Sequence, residues 1–197
     1  MTRNRICGLL SVIGALLGLG LVAVFATNDF GLPGTAAYRV YETLNRLIAL
    51  PLLLMACGWL GLVLARPKGY GRASAWLAFA AAVVMAAGTA AEFWLFSDQP
   101  YGVWTNGRMA SFMSFFVASL LLYVAATIVG VALWRSGAGS RVAAVVLMAA
   151  IPLYAAAILT LGSNFLAPAI LALAAGWAAI GSVEAFRRKV LTTPAPS

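Results

Sequence analysis

The sequence contains no histidine and little charge. Its 197 residues carry 13 Lys and Arg against 5 Asp and Glu, and charged residues make up 9% of the chain. Soluble domains usually hold about 25%. The missing histidine excludes His-ligated haem, His-containing metal sites and any Ser-His or Cys-His pair built within this chain. The two cysteines, Cys7 and Cys57, each lie in an apolar run with no C-x-x-C. That spacing offers no disulfide framework, and two small buried residues are expected. A phosphate loop, a G-x-S-x-G elbow and paired carboxylates within an apolar run are all missing. Neither a cofactor nor catalytic machinery is expected, so a non-enzymatic role is favoured.

What is abundant is apolar sequence. Hydrophobic residues make up 63% of the chain, where about 45–50% is normal. A water-soluble fold of this length would leave much of that surface wet, and lipid removes the difficulty. Six apolar runs stand out, at about 6–26, 44–65, 73–96, 109–134, 142–161 and 165–186. Each is long enough to cross about 30 Å of hydrocarbon at 1.5 Å per residue. In lipid each run must be helical, because an open strand would leave its backbone unsatisfied. The alternation of a membrane β-barrel is missing. The expected fold is all-α, a polytopic bundle of six spanning helices. It forms a single transmembrane domain over 1–191, with a disordered tail over 192–197.

Direction follows from the basic residues. With the N-terminus inside, the inner segments hold Arg3, Arg5, Arg66, Lys68, Arg72, Arg135, Arg141, Arg187, Arg188 and Lys189. The outer segments hold Arg39, Arg46 and Arg108. This asymmetry predicts both termini in the cytoplasm of a bacterial plasma membrane. The same distribution argues against nucleic acid, because the charges flank spans in twos and threes and form no continuous footprint. A second reading concerns the first run. Arg3 and Arg5, an apolar stretch and then Val24-Phe25-Ala26 have the order of a cleaved signal peptide. The stretch exceeds the usual 7–15 residues. It also contains Gly14-Ala15-Leu16-Leu17-Gly18, a spacing suited to helix packing.

Small residues indicate how the helices would associate, since lipid supplies no hydrophobic drive. Ala78, Ala82, Ala86 and Ala90 form one stripe on the third run, and Ala172, Ala175, Gly176 and Ala179 form another on the sixth. These two helices are expected to be central. The fourth, with Phe112, Phe115, Phe116 and Leu120 to Leu122, is expected to face lipid more. Pro51, Pro152 and Pro168 fall inside spans. Gly61, Arg66 and Arg72 are echoed by Gly130, Arg135 and Arg141, which convergence of short inner loops explains.

Candidate chemistry gathers at the outer side. Glu92 is the acid nearest the interior of a span, and ionisable groups there face the protein and mark possible function. Its expected partner is Arg46 or Arg108. Asp98, Tyr38 and Tyr41 complete the candidate set, in outer loops over 27–42 and 97–108. Thr35 is placed to cap the second helix, with Tyr38, Tyr41 and Asn45 following at near-helical spacing. The favoured role is a small membrane component that associates with the bilayer and with another membrane protein, a second copy or a lipidic ligand. A transporter or channel past Glu92, Arg46, Arg108, Tyr123, Thr127, Tyr154 and Thr160 is one alternative. An enzyme acting on lipid through Glu92 at the outer interface is another.

Overall fold

The computed structural model describes residues 3–27, 35–65, 70–100, 102–136, 141–152 and 155. All regular structure among them is helical. Helix α1 is Arg3–Thr27, α2 is Ala36–Ala65 and α3 is Tyr70–Ala90. A π turn, Ala91–Leu95, ends α3. Helix α4 is Gly107–Ser136 and α5 is Arg141–Met148. The sixth expected span lies outside the described residues, as do Tyr154, Thr160, Pro168 and the 192–197 tail. Three stretches are long and apolar enough to cross a membrane: Ala36–Leu64, Gly71–Leu95 and Gly107–Ser136. Shorter apolar helices run over Ile6–Leu21 and Arg141–Pro152.

Consecutive helices pack on one another, α1 on α2, α2 on α3, α3 on α4 and α4 on α5. Short connections between long helices favour this arrangement. The contacts rest largely on glycine and alanine. A side chain at Gly14 would come within 2.8 Å of the Pro51 carbonyl oxygen and the Met55 nitrogen. At Gly88 it would meet the Ser111 carbonyl oxygen at 3.0 Å, and at Gly130 the Ala144 carbonyl oxygen at 2.8 Å. Each of these glycines therefore lets two helix backbones approach closely, as membrane helices need. Gly18 has more room, its nearest neighbours being 3.8 and 3.9 Å away, so Gly14 is the tight position of the Gly14–Gly18 pair.

The alanine stripe of α3 lies where the sequence placed it. Ala78, Ala82 and Ala86 are buried, together with Ala75, Ala81 and Met85. From the facing helices come Trp59, Leu62 and Val63 of α2 and Leu122, Ala125, Ala126 and Val129 of α4. Pro51 sits inside α2 without ending it. Helix α4 differs from expectation, burying half of its span just as α3 does. It lies between α3 and α5, so two faces are covered, while Phe112, Val117, Leu120 and Leu121 stay on the outside. In the apolar middle the Thr127 hydroxyl donates to the Leu147 carbonyl at 3.4 Å.

Candidate functional site

The N-terminus of α2, the C-terminus of α3 and the N-terminus of α4 meet at one end of the bundle. Helix termini expose backbone groups that no intrahelical partner satisfies. Here side chains from neighbouring elements meet several of them. At the start of α2 the Thr35 hydroxyl accepts from the Tyr38 backbone N–H at 3.2 Å. This cap sets the helix start eight residues before the apolar run begins. Tyr38, Tyr41 and Glu42 are therefore helical, as the Thr35 cap and their spacing predict. At the start of α4 the Asn106 side-chain oxygen accepts from the Met109 N–H at 2.9 Å, a second cap of the same type.

The end of α3 is wider than an α-helix. The Phe96 N–H donates to the Ala91 carbonyl at 3.0 Å, the five-residue bond of a π turn. Glu92 and Phe93 are buried on this turn, while Trp94 and Leu95 point outward. The Phe93 carbonyl accepts from Arg46 Nε at 2.8 Å. A guanidinium at a helix C-terminus is doubly favoured, since it supplies a donor and complements the partial negative charge there. Arg46 stands one helical turn beyond Glu42 on α2, at the spacing that puts both on one face.

Arg108 organises the chain segment between the π turn and α4. It is 5% exposed, an uncommon position for an arginine. Its Nη1 donates to the Ser97 carbonyl at 2.8 Å and to the Gln99 carbonyl at 3.0 Å. Its backbone N–H donates to the Gln99 side-chain oxygen at 3.2 Å. Its Nη2 lies 3.7 Å from the Glu42 carboxylate, and its guanidinium lies 5.9 Å from the Phe93 ring centre. Such charge-assisted bonds are the stronger class of hydrogen bond. Asn106 adds a bond from its amide to the Pro100 carbonyl at 2.7 Å. Gly102 turns the chain at φ +86°, where a residue with a Cβ would be strained.

The structure thus brings all six candidate residues to one end, five of them packed together and Asp98 exposed at its surface. Tyr38 and Tyr41 stack with ring centres 5.4 Å apart, and Tyr41 meets Phe93 edge-on at 6.0 Å. Glu92 is buried beneath them, within electrostatic reach of Tyr41. Arg46 and Arg108 both reach the π turn or the segment after it. Asp98 is exposed, on the turn that follows. Arg108 also forms an ion pair with Glu42, a partner that sequence reasoning did not name. Phe93, Ser97 and Gln99 were also missed, because all three contribute carbonyl oxygens that side-chain chemistry does not advertise. Among the described residues no group of three or more Cys, Asp or Glu side chains is arranged to hold a metal. Cys7 and Cys57 are free thiols, both half-buried.

What this end does chemically is hold helices. Its cationic groups are engaged with carbonyl oxygens and a carboxylate, and its caps satisfy backbone donors. No family model matches the chain, and neither a curated protein nor a solved structure matches it. The class therefore rests on the molecule itself: among the described residues the regular structure is all helical and three apolar helices are of membrane-crossing length, the architecture of a membrane protein.

Proposed function

We propose that the chain is a six-span protein of the bacterial plasma membrane, with both termini cytoplasmic. Its role is that of a non-enzymatic membrane component that binds another membrane protein or a second copy of itself. The observation that carries the role is the state of Arg46 and Arg108. Arg46 Nε and Arg108 Nη1 donate to backbone carbonyls of the π turn and of the segment after it, and Arg108 Nη2 faces the Glu42 carboxylate. A substrate site would present such groups to a ligand, whereas a clamp presents them to its own backbone. The basic residues at 66, 68, 72, 135 and 141 support placing the opposite end inside.

The transport reading finds less support. Tyr123 is buried in the core, and the Thr127 hydroxyl is bonded across to α5. Thr127 thus serves the α4–α5 contact, and Tyr123 serves the core. The lipid-enzyme reading needs a second acid beside Glu92, and Asp98 is on the exposed turn.

Affinity purification in mild detergent, with mass spectrometry of proteins and lipids, tests the role. A stoichiometric membrane-protein partner or a stable homo-oligomer is expected. A monomer carrying bulk lipid alone overturns it. A Glu92→Gln variant sharpens the result: partner recovery should persist, and a loss of uptake or lipid turnover on this change would restore one of the other readings.

A further inference from the structure

The segment between α3 and α4 carries an exposed apolar edge that the clamp does not use. Trp94 is 64% exposed, Leu95 71% and Trp104 70%, and Val103 is exposed beside them. These residues do not hang from a loose loop. Arg108 ties the Ser97 and Gln99 carbonyls, Asn106 ties the Pro100 carbonyl, and the Asn106 N–H donates to the Val103 carbonyl at 3.1 Å. Large apolar groups held outward by a fixed backbone are usually covered by something.

The length of α3 says what covers them. From Arg72, a basic residue suited to one membrane surface, to Glu92 the helix rises about 30 Å, the thickness of the hydrocarbon layer. Trp94 and Leu95 follow immediately, so they fall where hydrocarbon gives way to headgroups. Trp104 stands three residues before α4, whose Arg108 reaches back to the same level. The segment 97–106 contains one charged residue, Asp98. A water-exposed loop would normally carry more, and indole rings favour the headgroup layer.

We propose that Trp94, Leu95, Val103 and Trp104 form an interfacial shelf, which lays the 97–106 segment flat in the headgroup layer at the Glu92 end. The occupant of the apolar edge is lipid, and the clamp at Arg108 serves to hold the shelf at that depth. The inference rests on the membrane-spanning reading above, and its test separates the two.

The full chain in lipid nanodiscs is compared with Trp104→Phe and, separately, with Trp76→Phe. The emission removed by each change reports that indole. Quenchers are lipids brominated high on the acyl chain and, in parallel samples, aqueous iodide. The Trp104 component should fall roughly twofold with brominated lipid and resist iodide, as an interfacial indole does. Quenching by iodide alone would put the segment in water and overturn the shelf. Quenching by neither would mean that protein covers Trp104, which also overturns it. Trp76 is exposed on α3 within the span and serves as the reference. If lipid fails to quench Trp76, the spanning reading itself falls; if it quenches Trp76 but not Trp104, only the shelf does.

Discussion

The two ends of the α3–α4 pair are held by different physics. At the Glu92 end, directional bonds from Arg46, Arg108, Asn106 and Thr35 close on backbone groups of other turns. At the opposite end the helices meet by shape. A side chain at Gly71 would lie 2.9 Å from the Ala132 side chain, and the nearest aromatic help is Arg141, 5.9 Å from the Trp134 ring centre. The contrast teaches where each kind of force is useful. Within lipid, apolar side chains gain little by leaving one hydrocarbon for another, so close backbone approach must do the work. At the helix termini, unsatisfied carbonyls and N–H groups are the problem, and buried guanidiniums and caps answer it.

If this contrast is right, substitutions should separate in size. Arg108→Met removes two charge-assisted bonds and leaves Glu42 without its partner. It should cost about 3–5 kcal/mol, the range for breaking a buried ion pair, read as a large fall in Tm by thermal unfolding in detergent. Arg46→Gln loses the Phe93 carbonyl bond and should cost about 1.5–3 kcal/mol. Hydrogen exchange of the π-turn amides should rise with it, while amides in the middle of α4 stay protected. Gly130→Ala drives a methyl group against the α5 backbone and should cost about 1–3 kcal/mol. Gly20→Ala, which meets nothing within 4 Å, should instead stabilise α1 by about 0.5–1 kcal/mol through the lost flexibility of glycine. Thr127→Val should be smallest, at about 0.6 kcal/mol, in keeping with typical polar contacts between membrane helices. Should Thr127→Val match Arg108→Met, the division between a bonded end and a shape-packed middle would be wrong.

Much of this could be read from the residues alone, because the signals were local. The apolar runs mark α2, α3 and α4, and the spacing of Ala78, Ala82 and Ala86 marks a buried stripe. Thr35 was legible as a cap because the Pro33-Gly34 pair precedes it. The grouping of Arg46, Glu92 and Arg108 follows from their places at the outer ends of the second, third and fourth runs. What stayed hidden depends on nonlocal geometry. Nothing in Ala91 to Leu95 announces a π turn, whose Phe93 carbonyl meets Arg46 of α2. The Arg108–Glu42 pair joins residues 66 positions apart, on α2 and α4, which no local pattern links. The aromatic content of α4 pointed to lipid, but the cover that α5 provides is a property of the hairpin and leaves no mark in α4 itself.

The account's central claim is that the chain crosses the membrane with its bonded end outward. Cysteine accessibility tests it most directly, in a variant with Cys7 and Cys57 replaced by serine. A thiol introduced by Asp98→Cys should react with a membrane-impermeant maleimide added to intact cells. One introduced by Gly137→Cys should react only after the cells are opened. The reverse pattern would contradict the orientation, and equal labelling of both positions in intact cells would contradict the crossing.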